Sequence, residues 1–177
     1  DFVTAPELTP MFGQTLAAQV AEALEKTGTS TVWEFGAGSG ALAVQLLHAL
    51  DEMGRTDVRY RIVDLSGTLR ERQQQALVRY ADRVEWLNEL PESMEGVVVG
   101  NEVLDAMPVQ LLARVGGQWF ERGVVRNAQD DGWAWADRPT ELRPPVDVPG
   151  EHDYLTEIHP QARAFIATLA DRLKKGA

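Results

Sequence analysis

The sequence predicts an α/β fold: a doubly wound parallel sheet carrying an inserted β-hairpin region. Three observations carry the prediction. Short apolar strands alternate with helical patterns in the order βαβαββ. A glycine turn, Gly36-Ala37-Gly38-Ser39-Gly40, joins the first strand to the helix behind it. An uninterrupted apolar run, Gly96-Val97-Val98-Val99-Gly100, has the character of a central parallel strand. Right-handed crossovers between such strands give the doubly wound, Rossmann-like arrangement.

The elements follow in order. Residues 1–10 contain Pro6 and Pro10 and read as loop. Phe12, Leu16, Val20 and Leu24 recur at helical spacing, so 10–26 reads as an amphipathic helix, broken at 28–30. Residues 31–35 form the first strand, and 41–53 a helix with Leu42, Leu46, Leu47 and Leu50 on one face. The second strand, 58–63, ends at Asp64; Ser66 is placed to cap a helix running to about residue 81. Residues 83–87 are a third strand and 96–100 the fourth, ending at Asn101-Glu102. Beyond Pro108, residues 109–115, Gly116-Gly117 and 118–125 predict a β-hairpin, with 133–136 as a further strand. Pro139, Pro144, Pro145 and Pro149 mark 138–150 as an exposed connector. A final helix over 160–175 sets Ala162, Phe165, Ile166 and Leu169 on one face, with Gly176 as its C-cap.

At 177 residues the chain reads as one domain. Its expected parts are an N-terminal lid and helix (1–30), a ligand-binding core (31–108), a β insertion and connector (109–150) and a C-terminal helix region (151–177). It opens on Asp1 in mid-phrase and reads as an excerpt of a longer chain. A net charge of −10 argues against nucleic acid as a partner. With no cysteine there is no disulfide framework, thiol zinc site or cysteine nucleophile, and three histidines argue against a histidine metal site. No apolar run reaches the ~20 residues of a membrane span, so membrane insertion is not expected. With no targeting segment in view, bacterial cytoplasm is the expected location, or the mitochondrion for a eukaryotic chain.

The glycine loop is the strongest functional signal. Glycines at a strand-to-helix turn let a ligand approach the backbone, and the helix N-terminus presents free N–H groups. Gly36-x-Gly38-x-x-Ala41 also satisfies the dinucleotide form of the motif, so the glycines alone leave both S-adenosylmethionine and NAD open. Glu34 separates them. A carboxylate two residues before the first glycine opposes a pyrophosphate and favours the ammonium and sulfonium of S-adenosylmethionine. No Lys or Arg lies between Thr27 and Arg55 to offset it. Asp64 is placed to take a ribose diol, which serves either ligand.

Four stretches carry a resemblance to the MidA-like class I S-adenosylmethionine-dependent methyltransferases, the family typified in mitochondria by a complex I assembly factor that methylates arginine. They are Asp1-Phe2-Val3-Thr4-Ala5-Pro6-Glu7-Leu8 with Phe12-Gly13; Glu34-Phe35-Gly36-Ala37-Gly38-Ser39-Gly40; Gly100-Asn101-Glu102-Val103-Leu104-Asp105-Ala106-Met107-Pro108-Val109; and Glu157-Ile158-His159-Pro160-Gln161-Ala162. The likeness runs the length of the chain. The first and third stretches are specific to the family, whereas the glycine loop is common to class I methyltransferases. The family extends beyond this chain at both ends. The second-strand acid, often Glu in the family, is Asp64 here, a conservative change for ribose binding.

The resemblance implies a protein arginine as substrate, in the family a respiratory-complex subunit; homodimerisation is a further expectation. A guanidinium is a poor nucleophile, so carboxylates that localise its charge and take its proton matter. Glu102 and Asp105, with Asn101 beside them, follow the central strand and are the expected catalytic group. Gly36, Gly38, Gly40, Glu34 and Asp64 are the expected cofactor contacts. Thr4 and Glu7 are expected to fold over the cofactor as a lid, and Trp86-Leu87 to flank its adenine. Each has a bland alternative: Asn101 or Asp105 as helix N-cap, Glu102 as a solvated acid, Thr9 capping the first helix behind Glu7, and Trp86 as a core residue. Glu157 reads more simply as an acid at a helix start, Trp33 as core, and residues 70–75 as a solvated helix face. Two other functions compete: a methyltransferase-fold assembly protein without catalysis, and an NAD-dependent oxidoreductase.

Overall fold

The computed structural model describes residues 3–64, 67–127 and 131–177. Asp1, Phe2 and the cap expected at Ser66 lie outside them. In chain order the first elements are α1 (Ala5–Leu8), α2 (Pro10–Thr27), β1 (Thr31–Phe35), α3 (Ala41–Glu52), β2 (Arg59–Val63), α4 (Gly67–Ala76), β3 (Val84–Leu87) and β4 (Met94–Gly100). There follow β5 (Gln110–Val115), β6 (Gln118–Arg126), β7 (Trp133–Pro139), β8 (Tyr154–Ile158), α5 (Pro160–Arg172) and β9 (Leu173–Gly176). They form two compact units, Asp1–Val103 with Thr168–Ala177, and Leu104–Ala167. No described helix is long and apolar enough to cross a membrane.

The first unit is built on a five-stranded sheet in the order β3-β2-β1-β4-β9, every pairing parallel. Strand β1 is its centre, and Val32, Trp33, Glu34 and Phe35 are all buried. Trp33 is core, as its position in the strand suggests, and its indole N–H donates to the carbonyl of Glu95 at 2.9 Å. The chain runs outward from β1 through β2 to β3, then crosses back to place β4 on the other flank of β1. That reversal between β1 and β4 is a topological switch point, where open α/β sheets leave a crevice beyond their strand ends.

Helix α2 starts at Pro10 with Thr9 as N-cap, the Thr9 hydroxyl accepting from the Met11 N–H at 3.2 Å. It ends at Gly28, left-handed at φ 59°. Its buried stripe is Gly13, Ala17, Val20 and Leu24; Val20 and Leu24 lie where the spacing predicts, while Phe12 and Leu16 pack at the margin beside Gly13 and Ala17. Helix α3 buries Leu42, Leu46, Leu47 and Leu50 as expected.

Three expectations are corrected here. Residues 5–8 of the expected N-terminal loop form the helical turn α1. The final helix stops at Arg172; Leu173–Gly176 is β9, paired with β4 through Leu173↔Met94 and Gly176↔Gly96 and continued by Val98 N–H donating to the Ala177 carbonyl at 2.8 Å. Leu-Lys-Lys continues a helical pattern locally, but the open flank of β4 supplies a ladder that overrides it. Gly176 is therefore a strand residue, not a C-cap. Third, Gln73 on α4 is fully buried, so residues 70–75 are not simply a solvated face.

The second unit is an antiparallel sheet in the order β7-β6-β5-β8. Gly116 and Gly117, at φ 56° and 79°, make the tight turn joining β5 to β6, as the sequence predicts. Strand β8 has no counterpart in the sequence reading. It pairs with β5 (Thr156↔Leu112), and Glu157 is thus an exposed strand residue opposite Leu111, not an acid at a helix start. No helix follows β4 either: a turn at Met107 N–H to Leu104 carbonyl leads into β5, so neither Asn101 nor Asp105 caps one. On α5, Ala162 is buried and Ile166 is exposed.

Candidate functional site

Strands β1 and β4 end level, Phe35 opposite Gly100. Past those ends opens a cleft of ≈ 170 Å³. Thr4, Glu7, Glu34, Gly36, Gly38, Asn101 and Glu102 line it, together with Pro6, Ala37, Ser39, Ala41 and Leu42. Seven of the residues singled out from the sequence thus meet in one place. Gly40, Asp64, Trp86, Leu87 and Asp105 are not in the lining. Gly40 is buried at the N-cap of α3, its N–H donating to the Ala37 carbonyl at 2.8 Å. Asp64 ends β2, and Trp86 and Leu87 end β3 opposite Ile62 and Val63. Asp105 belongs to the second unit and is exposed.

The loop 36–40 folds as its glycines permit. Gly36, Gly38 and Gly40 take φ of 65°, 53° and 86°, a region closed to most side chains. A Cβ built on Gly38 meets no atom within 4 Å, whereas one on Gly36 would press on Val103 Cγ2 at 3.0 Å. Gly38 therefore presents bare backbone to the cleft. Beyond it, Ala41 and Leu42, the first residues of α3, also line the cleft, and the helix has no side-chain cap to occupy its first-turn N–H groups. Glu102 carries φ 55°, a left-handed conformation seldom taken by a non-glycine residue.

The electrostatics have one sign. Glu7, Glu34 and Glu102 line the cleft, and no Lys, Arg or His does among the described residues. Glu34 is 2% exposed and accepts a hydrogen bond from the Tyr60 hydroxyl at 2.7 Å. Burial pushes its carboxyl up to about 7, against the Tyr60 bond, with the Asp64 charge adding to the rise. Tyr60, fully buried beside it, is held well above the usual phenol range by that burial first and by Glu34 second. The carboxylate read from sequence as a standing barrier to pyrophosphate is thus about half protonated at neutral pH. A cation placed beside it would make it a full charge.

The N-terminal segment is tied to α3 by a residue the sequence reading passed over. Gln45 on α3 donates to the Pro6 carbonyl at 2.6 Å and accepts from the Gly13 N–H at 3.1 Å. Thr9 caps α2, and Thr4 and Glu7 line the cleft, so the cap at Thr9 does not keep Glu7 away from it. Gly13 is required: a Cβ there would stand 2.4 Å from Gln45 Cβ. Gly13→Ala should cost about 1–3 kcal/mol of stability in urea denaturation and expose residues 4–9 to limited proteolysis.

Residues 15–177 match the family described as "Putative S-adenosyl-L-methionine-dependent methyltransferase". A crystal structure from Burkholderia thailandensis bound to S-adenosyl-homocysteine aligns at a TM-score of 0.86 and 49% identity over 99% of this chain and 47% of that one. A native structure from the same organism aligns at 0.84 and 49%, over 99% of this chain and 49% of that one. The mitochondrial protein arginine methyltransferase NDUFAF7 homolog of Caenorhabditis elegans is 30% identical over 155 residues, 75% of this chain and 36% of the relative. The chain spans less than half the length of these relatives. On the family match over nearly its whole length, the chain belongs to the MidA-like family of S-adenosylmethionine-dependent methyltransferases.

Proposed function

We propose that this chain is the cofactor-binding part of an S-adenosylmethionine-dependent methyltransferase whose substrate is an arginine of a partner protein. The observation that carries the reading is the cleft at the switch point, where the glycine loop and three acids meet with no basic side chain in the lining among the described residues. The cleft fits the cofactor by its chemistry. The bare Gly38 backbone and the α3 N-terminus suit a carboxylate, Glu34 suits an ammonium or sulfonium, and Thr4 and Glu7 are placed in the lining to close over the ligand. Bound there, S-adenosylmethionine supplies a methyl group on a positively charged sulfur.

The chain's own residues would then handle the nucleophile. Asn101 and Glu102 sit where β4 ends, at the mouth of the cleft. A guanidinium held by Glu102 would have its positive charge drawn to the nitrogen facing the carboxylate, leaving another nitrogen with a lone pair for the methyl group, and the same carboxylate would accept the proton released on methylation. The arginine assignment is supported by the acidic lining and by the C. elegans relative's name.

Transfer of a radiolabelled methyl group to an arginine-containing protein fraction by the full-length protein tests this reading. Acid hydrolysis should yield methylarginine, and Glu102→Gln should lower kcat about 30-fold, below the usual 10²–10⁴ for an acid–base group because the residue is exposed. Label on another residue type would overturn the arginine assignment, and no label with cofactor bound would favour an assembly role without catalysis.

A further inference from the structure

Gln73 is the only buried residue of α4 among those described, and it is fully buried. A buried position on an otherwise polar helix would ordinarily hold an apolar side chain. Leu69, Gln73 and Leu77 lie four residues apart on one stripe, and burying a carboxamide is unfavourable unless it is bonded. Its bonds go to three places. Gln73 Nε2 donates to Asp64 Oδ2 at 2.8 Å and to the Gly38 carbonyl at 3.0 Å, and Oε1 accepts from the Trp86 indole N–H at 3.0 Å. The partners fix which way the amide faces. Turned over, Oε1 would meet a carboxylate and a carbonyl, and the NH₂ would meet an N–H.

These partners stand behind three parallel strands: Gly38 after β1, Asp64 at the end of β2 and Trp86 near the end of β3. Gly40 packs on the same residue, since a Cβ there would lie 3.3 Å from Gln73 Cα. Gln73 therefore ties the cleft-lining Gly38 to Asp64 and Trp86, which the lining omits. A neutral donor also holds a carboxylate without cancelling its charge, as Arg or Lys would.

We infer that Gln73 is a positioning residue for the nucleoside half of the ligand: it holds Asp64 oriented toward a ribose diol while keeping the Gly38 peptide and the Trp86 ring in register with it. This rests on the cofactor reading above. It does not touch the ligand; it acts through Asp64.

The test is calorimetry at pH 8 with S-adenosylhomocysteine and its 2′-deoxy analogue, on the wild type, Gln73→Met, Asp64→Asn and the double variant. The wild type should prefer the ribose form about 10- to 100-fold, as for a hydrogen bond to a charged group. Gln73→Met should bind both ligands and cut that preference to about threefold or less. The double variant should lose no more than Asp64→Asn alone, the non-additivity of two residues acting as one. Trp86→Phe removes one anchor and should lower the preference about threefold; it decides the matter if Gln73→Met does not fold. A wild type that binds neither ligand overturns the cofactor reading and this inference with it. A wild type that binds, with the preference intact in Gln73→Met or Trp86→Phe, or with both ligands weakened equally, overturns the inference alone.

Discussion

Glu34→Gln should stabilise the protein and weaken S-adenosylmethionine binding at pH 8, and do much less of either at pH 5. Glu34 is buried, and its carboxyl sits at about 7 rather than 4.5. Between those values the folded state holds a proton that the unfolded chain has released. Stability is therefore fully present below about pH 4.5 and falls as pH rises through about 7. The full difference is about 3 kcal/mol at 1.36 kcal/mol per unit. Glutamine removes that loss while still accepting from Tyr60, so urea titrations at pH 8 should show the variant more stable and those at pH 5 nearly equal curves. Binding runs the other way. A bound cation selects the ionised carboxylate, so wild-type binding should release a proton below pH 7. Affinity should then fall toward tenfold per unit between pH 7 and 5, where an α-ammonium stays charged. Glutamine has no charge to offer, and at pH 8 the loss should be about 100-fold, near 2.7 kcal/mol. A variant that loses stability at pH 8, or binds as tightly as the wild type, contradicts this account of Glu34.

Gly38→Val should abolish measurable cofactor binding while the protein stays folded. Two separate effects combine. At φ 53° a β-branched residue is strained, a cost of about 1–3 kcal/mol. That strain falls on stability, and a shifted urea midpoint will show it. The second effect falls on the ligand. No protein atom lies within 4 Å of a Cβ at Gly38, which lines the cleft, so the valine methyls take ligand space rather than core space. Together with the lost backbone approach this should cost about three orders of magnitude in affinity, about 4 kcal/mol. Gly40→Ala makes the contrast: its Cβ presses on Gln73 Cα at 3.3 Å, so it should damage packing more directly. Full affinity in Gly38→Val would mean that the ligand does not use the loop.

Much of the first unit is legible in the sequence because its signals are local. Buried parallel strands read as apolar runs, and Gly36-Ala37-Gly38-Ser39-Gly40 marks a strand-to-helix turn. What escapes is set by distant partners. Residues 173–176 look helical until β4 offers its flank. Strand β8 alternates plainly in Tyr154-Leu155-Thr156-Glu157-Ile158, but the prolines at 144, 145, 149 and 160 surround it and read as connector. Gln73 stands in a polar window, Arg70-Glu71-Arg72-Gln73-Gln74-Gln75, and only its place between Leu69 and Leu77 betrays a buried position. Glu34 is visible as an acid before the loop; its protonation is not, because Tyr60 arrives from the neighbouring strand, where it pairs with Val32.

The most direct measurement is calorimetric titration of the wild-type protein at pH 8 with S-adenosylmethionine and, separately, with NAD. Saturable one-to-one binding of the sulfonium nucleoside is expected, with the heat abolished in Gly38→Val, and no binding of NAD. Saturable NAD binding, or no heat from S-adenosylmethionine in a folded wild type, would contradict the cofactor reading.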